Sequence, residues 1–120
     1  MDKYTVKFDI RARNQLASVA RYLAGAADPN RASSFVRDLT NEAKSLKIFP
    51  YRGQSKDHIY PGLHIIGYKR RATIAYLIDD TDKTVSIAGI FYGGQDWESE
   101  LLALLPQQAV STDKSSTSAT

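Results

Sequence analysis

A chain of 120 residues, 42% of them hydrophobic, is long enough for one domain with a modest core. It has no cysteine, which excludes a disulfide framework and a thiolate metal site, and we expect neither a metal nor a cofactor. The net charge is +3, and 11 of the 16 lysines and arginines fall within residues 1–56, so the basic N-terminal half either faces an acidic partner or is a solvated surface. The sequence starts without an apolar signal region and contains no apolar run of about 18 residues, so we expect a cytoplasmic protein that does not enter a membrane.

The first predicted elements are a strand and a helix. Apolar residues alternate with polar ones from Tyr4 to Ile10, and this period of two is typical of a strand with one buried face. From Arg11 onward the apolar spacing becomes i, i+3, i+4, i+7, which predicts an amphipathic helix that stops near Gly25.

A second helix is predicted directly after the first. Asp28 supplies a capping side chain, and Pro29 follows at the first helical position, where a missing N–H costs nothing. We expect this helix to end at Pro50, because proline cannot continue the hydrogen-bond ladder. The link between the two helices is short, which predicts an antiparallel hairpin.

The rest of the chain is predicted to be a loop, three strands, a short helix and a tail. The predicted ranges are a loop at 51–62, strands at 63–68, 72–78 and 85–92, a helix at 96–105, and a disordered Ser/Thr-rich tail at 106–120. The order β-α-α-β-β-β-α predicts an α+β domain over residues 1–105, in which the helical hairpin packs on a mainly antiparallel sheet.

Several short strings occur along this pattern in a fixed order. They are Phe49-Pro50, Arg52-Gly53, Pro61-Gly62-Leu63, Ile74-Ala75-Tyr76 and the run from Ile90 to Glu98. Their order and spacing resemble the RelE/ParE toxin superfamily over about residues 4–101, and the last run is typical of the ParE branch. The resemblance implies the toxin half of a type II toxin–antitoxin system, which inhibits growth and, in plasmid systems, stabilises the plasmid.

The superfamily divides into ribosome-dependent RNA-cleaving toxins and ParE toxins, which inhibit DNA gyrase without a cleavage reaction of their own. RNA cleavage needs a base, cations for the developing phosphorane charge and an acid for the leaving oxygen. At the matching positions only His64 and Tyr92 can take part, and family members often carry Arg where His64 stands. Lys69, Arg70 and Arg71 crowd into a turn, so they supply charge without the convergent geometry that an oxyanion needs. The resemblance therefore implies a gyrase inhibitor that is not an enzyme.

Two alternatives stay open. The first is a ribosome-dependent endoribonuclease that uses His64 and Tyr92, with Arg52, Lys69 or Arg70 holding phosphates. The second is a non-toxic partner that only stabilises a regulatory complex with its antitoxin on DNA.

The resemblance also implies two binding surfaces. The first would bind a ParD-like antitoxin, with DNA contacted only through that antitoxin, and comprises Arg11, Arg13, Arg21, Arg31 and Arg37. The second would carry toxicity and comprises Arg52, His64, Lys69, Arg70, Tyr92, Gln95, Asp96 and Trp97. For the single tryptophan, packing of the last helix is favoured over a binding hot spot, and for His64 a structural role is favoured over catalysis.

Overall fold

The computed structural model describes residues 3–26, 28–93 and 96–104. Its elements in chain order are β1 (Thr5–Phe8), α1 (Ile10–Ala26), α2 (Pro29–Lys44), two 3₁₀ turns (Ser45–Lys47 and Pro50–Arg52), β2 (Gln54–Ser55), β3 (Leu63–Tyr68), β4 (Ala72–Asp79), β5 (Thr84–Tyr92) and α3 (Trp97–Leu104). The five strands form one sheet in the order β1-β5-β4-β3-β2. The architecture is the predicted α+β domain, and the predicted tail at 106–120 lies outside the described residues.

The start of α1 differs from the predicted boundary. Ile10 was expected to close the first strand, but it is the first helical residue and its side chain is 64% exposed. Asp9 explains the change, because its side chain accepts a hydrogen bond from the Arg11 N–H at 2.9 Å and its carbonyl accepts one from the Arg13 N–H at 3.1 Å. The helix therefore begins immediately after an Asp cap.

The second helix starts as predicted and ends earlier than predicted. The Asp28 side chain accepts from the Arg31 N–H at 3.0 Å, and Pro29 is the first helical residue. The helix ends at Lys44 and passes into a 3₁₀ turn, so the expectation that Pro50 ends it is wrong.

Pro50 instead opens the second 3₁₀ turn, and the residue before it takes an unusual conformation. Phe49 has φ 62° and ψ 58°, in the left-handed region. A residue before proline is disfavoured in the right-handed helical region, so the chain cannot be helical at Phe49 as it enters the turn at Pro50. A left-handed conformation in a residue other than glycine costs on the order of 1–3 kcal/mol and persists only where the surroundings fix it.

The sheet combines a meander with one parallel strand. Strands β3, β4 and β5 pair antiparallel, whereas β1 pairs parallel with β5. The segment predicted as an irregular loop at 51–62 contains β2, which pairs antiparallel with β3. Gly53, just before β2, is held against β4: a Cβ there would collide with the Tyr76 hydroxyl and lie 2.6 Å from the Ile65 carbonyl oxygen.

The two faces of the sheet bury separate clusters. The face under α1 and α2 buries Ala12, Leu39, Ala43, Leu46, Ala72, Ile74, Tyr76, Val85, Ile87 and Ile90. The opposite face buries Leu63, Ala75, Ala88, Phe91 and Leu101, with Trp97 packed against them. A register shift between Ala75 and Tyr76 leaves Ala88 as the extra residue on β5. Because of this bulge, Ile87 and Ile90 both face the helical hairpin although three positions separate them.

No helix in the described part of the chain has the length and apolar character needed to cross a membrane.

Candidate functional site

The two side chains proposed for an RNA-cleaving site lie at opposite ends of the sheet. His64 on β3 pairs with Tyr76 on β4, whereas Tyr92 on β5 pairs with Ala72 on β4. The partners Tyr76 and Ala72 are four residues apart on β4, and β4 lies between β3 and β5. With about 3.3 Å per residue and 4.8 Å between strands, the backbones of His64 and Tyr92 are roughly 16 Å apart. The structure therefore does not bring His64 and Tyr92 together.

His64 is held as a structural side chain. It is 8% exposed, its ring stacks on Tyr76 at 5.7 Å, and Tyr51 meets it edge-on at 5.4 Å between ring centroids. Its Nδ1 atom is 3.3 Å from the carbonyl oxygen of Gly62. His64 is therefore nearly buried, with Tyr76 stacked on its ring and Tyr51 packed against it.

Next to His64 lies a hydrogen-bonded cluster that the sequence did not predict. The Tyr4 hydroxyl donates to Asp80 Oδ1 at 2.6 Å, and the Tyr51 hydroxyl donates to Asp80 Oδ2. Lys83 places its Nζ 5.1 Å from the centroid of the Tyr4 ring. The Asp80 carboxylate thus joins three segments: the residue before β1, the second 3₁₀ turn and the β4–β5 turn.

These hydrogen bonds shift the acidity of all three groups. Donation by Tyr4 and Tyr51 holds the pKa of Asp80 below its usual range. The bond to the Asp80 carboxylate raises the pKa of Tyr51 to about 12 and also raises the pKa of Tyr4. No local signal marks this cluster, because the two tyrosines are 76 and 29 residues from Asp80 in the chain.

Arg52, predicted to bind the target, is engaged within the fold. Its guanidinium donates to Glu42 Oε2 at 3.0 Å and to Ser45 Oγ at 2.6 Å. Arg52 therefore ties the second 3₁₀ turn to the end of α2, and its guanidinium is engaged by these two side chains.

The predicted basic turn between β3 and β4 contains Lys69 and Arg70, both with positive φ and both exposed. The third residue of the turn, Arg71, points to the helical hairpin: its Nη2 donates to the Tyr92 hydroxyl at 2.7 Å, and its Cζ is 4.7 Å from the centroid of Phe35. Lys69 Nζ is 5.5 Å from the ring of the preceding Tyr68. The turn thus supplies exposed charge, while Arg71 fixes Tyr92.

Tyr92 belongs to an aromatic cluster under the hairpin. Its ring is 5.6 Å from Phe35 and 6.0 Å from the exposed Tyr22, and Phe35 is 5.6 Å from Tyr68. An open groove of about 640 Å³ lies beside it, between α1, the end of β5 and α3. Tyr92 is half-buried at the rim of the core and also packs against the buried cluster of Val19, Leu23 and Ala32.

Two further predicted target residues shape the start of α3. Asp96 accepts hydrogen bonds from Ser99 Oγ at 2.8 Å and from the Ser99 N–H at 3.3 Å, and these bonds lower the pKa of its carboxyl. Trp97 is half-buried and packs against the apolar face of the sheet that α3 covers, as favoured from the sequence. Gln95, predicted beside them, lies outside the described residues.

The arginines predicted to bind an antitoxin are all exposed. Three of them form solvent-exposed ion pairs, Arg11 with Asp9, Arg31 with Asp28 and Arg37 with Asp38, and Arg21 donates to Ser18. Such pairs contribute little to stability, so these side chains can exchange partners at low cost.

Arg13 lies beside a second open groove, of about 720 Å³, which follows β1. The groove is also lined by Lys7, Lys44 and Lys47, and none of these four cations forms an ion pair with another described residue. β1 is an end strand of the sheet, so the groove runs along an open edge and carries unbalanced positive charge. In the described ranges, no group of three His, Cys, Asp or Glu side chains can hold a metal ion.

Solved structures share this fold. One, from the chromosomal ParDE toxin–antitoxin system of P. aeruginosa, has a TM-score of 0.65 and 17% identity over 76% of this chain and 97% of that one. One from the RelBE2 toxin–antitoxin complex of Mycobacterium tuberculosis has a TM-score of 0.61 and 24% identity over 79% of this chain and 97% of that one. A mutant of the E. coli toxin RelE in the free state has a TM-score of 0.60 and 14% identity over 85% of this chain and 93% of that one. The chain therefore shares its fold with these three toxins or toxin–antitoxin structures.

The sequence itself identifies the branch. Residues 6–97 match the family described as the ParE toxin of type II toxin–antitoxin system parDE. This match covers most of the chain, and the protein belongs to the ParE toxin family. No curated protein sequence matches the chain.

Proposed function

We propose that this ParE-family protein is a cytoplasmic toxin that inhibits DNA gyrase by binding it, and that it performs no cleavage of its own. The observation that carries the proposal is the distance between His64 and Tyr92. His64 lies on β3 and Tyr92 on β5, two strands away, and their partners on β4 are four residues apart. A phosphodiester-cleaving site needs its acid, base and cations within hydrogen-bond reach of one group. Arg52, the third residue of the alternative, is bonded to Glu42 and Ser45.

We further propose that a ParD-like antitoxin neutralises the toxin by binding the helical hairpin and the neighbouring strand β1. The structural neighbours from P. aeruginosa and M. tuberculosis come from toxin–antitoxin systems. The exposed arginines of the hairpin and the basic groove along β1 suit an acidic partner. Of the predicted toxicity residues, Lys69 and Arg70 are the cations that the fold leaves most available for a target.

The test is to induce the chain alone in a bacterium and to assay purified gyrase supercoiling beside ribosome-dependent mRNA cleavage. We expect growth arrest, loss of supercoiling or trapped cleaved DNA, and intact mRNA. Cut mRNA with unaffected gyrase would assign the protein to the ribonuclease branch, for which its likeness to RelE leaves room. Normal growth would favour the non-toxic partner of a regulatory complex.

A further inference from the structure

Three large apolar side chains stand exposed on one short segment between α2 and β2. Ile48 is 42% exposed, Phe49 61% and Tyr51 51%, and the intervening Pro50 is buried. We call Ile48, Phe49 and Tyr51 the 48–51 patch. None of the three belongs to the buried clusters of the described fold, so burial within the domain does not account for them.

The backbone beneath the patch is fixed on both sides. The carbonyl of Pro50 accepts a hydrogen bond from the buried Tyr76 hydroxyl at 2.7 Å, and the Arg52 N–H donates to the Phe49 carbonyl at 3.2 Å. The Tyr51 hydroxyl donates to Asp80, and Arg52 is bonded to the end of α2. The rings are thus presented from a rigid support.

Rigid, exposed aromatic side chains are the usual anchors of protein interfaces, because little conformational entropy is lost when they bind. Strained backbone at an exposed position is likewise concentrated at functional sites. Phe49 combines both properties, since it has a left-handed backbone and the most exposed side chain of the patch. Its ring is not part of any buried cluster of the described fold.

We propose that the 48–51 patch is the surface by which this toxin contacts its protein target, and the proposal rests on the toxin function above. The partner that fits is a folded protein with an apolar cleft bordered by acidic side chains. The apolar cleft would take Phe49 and Tyr51, and the acidic border would meet Lys44 and Lys47, which precede the patch and form no ion pair among the described residues. These two lysines also line the groove along β1, so an antitoxin bound in that groove would cover the cations that the target contacts. A compact turn with three side chains in four residues suits a preformed pocket, whereas an extended antitoxin segment needs a long groove such as the one along β1.

The variants Phe49→Asn and Phe49→Gly test the proposal. Both residues tolerate the left-handed conformation, so the fold is retained while the ring is removed. Ile10→Ala is the matched control, because Ile10 is 64% exposed on a different part of the molecule. Each variant is induced in a bacterium that carries no antitoxin, and each purified protein is titrated against gyrase and melted.

We expect both Phe49 variants to melt at or above the temperature of the unmodified protein, to lose growth inhibition, and to bind gyrase roughly 30-fold more weakly, as loss of an aromatic hot spot does. Ile10→Ala keeps full toxicity. If the unmodified chain and the Phe49 variants arrest growth equally, the patch is not the target surface and the inference fails while the toxin function stands. The bacterium carries no antitoxin, so a patch that binds only the antitoxin would also leave the Phe49 variants as toxic as the unmodified chain. If the unmodified chain does not arrest growth, the proposed function itself fails, and this inference fails with it.

Discussion

The two ends of the sheet face under the hairpin hold their aromatic side chains by different means. At one end Tyr4 and Tyr51 donate to the single carboxylate of Asp80. At the other end the guanidinium of Arg71 lies over Phe35 and bonds to the Tyr92 hydroxyl. A carboxylate and phenols titrate at acid and alkaline pH, whereas a guanidinium keeps its charge throughout. At acid pH the Asp80 carboxylate is therefore lost, whereas the Arg71 guanidinium keeps its charge.

The largest effect is expected between these two ends, where Gly53 approaches Tyr76. Gly53→Ala would place a Cβ against the Tyr76 hydroxyl and the Ile65 carbonyl, and the resulting overpacking should destabilise the fold by about 2–3 kcal/mol in urea unfolding. Gly67→Ala is the matched control, because a Cβ at Gly67 meets nothing within 4 Å. Equal losses from both variants would contradict the close approach at Gly53.

At the Arg71 end, we expect Arg71→Ala to destabilise the fold by about 1–2 kcal/mol. The substitution removes the contacts with Phe35 and Tyr92 and one hydrogen bond. Urea unfolding measures the loss, and it should be nearly the same at pH 3 and pH 7 because the guanidinium stays charged over that range. Arg70→Ala, in the same turn, serves as the control and should change stability by no more than about 0.5 kcal/mol. A strong pH dependence of the difference between Arg71→Ala and the unmodified protein would refute this account.

At the Asp80 end, we expect a loss of stability at both extremes of pH. The depressed pKa of Asp80 contributes stability above the usual carboxyl value of 3.8, and this contribution disappears as the pH falls through the folded-state pKa. The raised pKa of Tyr51 contributes stability below pH 10, and this is lost as the pH rises toward about 12. Denaturant midpoints across the pH range measure both effects.

Asp80→Asn should flatten that profile at both ends, and Asp82→Asn, in the same turn, should leave it unchanged. A profile of Asp80→Asn that parallels the unmodified protein would show that the tyrosine bonds to Asp80 do not govern the pH response. The comparison with the Arg71 end would then fail.

The smallest effect on stability is expected on the hairpin surface. Arg21→Ala, Arg31→Ala and Arg37→Ala should each change unfolding free energy by less than about 0.5 kcal/mol, because their polar contacts are exposed. If these arginines bind an acidic antitoxin as proposed, the triple variant should lose neutralisation in a co-expression assay while it remains folded and toxic. Retained neutralisation would remove them from the antitoxin surface.

Local signals in the sequence predicted most of the helices and strands, but they could not predict the contacts made by the candidate site residues. Asp28 and Pro29 act within one helical turn, so their effect was readable from the sequence alone. Ile10 fits both the strand period and the start of the helix, and the Asp9 cap decided between them. The pattern could not reveal the bulge at Ala88, which sets which side chains of β5 face the hairpin.

The candidate sites depend on contacts between distant parts of the chain. Tyr4, Tyr51 and Asp80 were assigned separately to a strand, a loop and an acidic turn, and only the folded sheet brings them together. His64 and Tyr92 looked like a possible pair because register is invisible in a single sequence. Arg52 looked free for the same reason, although Glu42 and Ser45 hold it.

The parallel pairing of β1 with β5 also bears on how the protein is made. Thr5 pairs with Thr84 and Phe8 with Ile87, so the first strand to leave the ribosome cannot dock until nearly all of the domain has been synthesised. Until then β1 has no partner strand, and the Asp80 carboxylate that anchors Tyr4 and Tyr51 has not been synthesised. Chains that stop before β5 cannot complete the sheet, so an interrupted round of translation should yield a fragment for degradation and not a partial toxin.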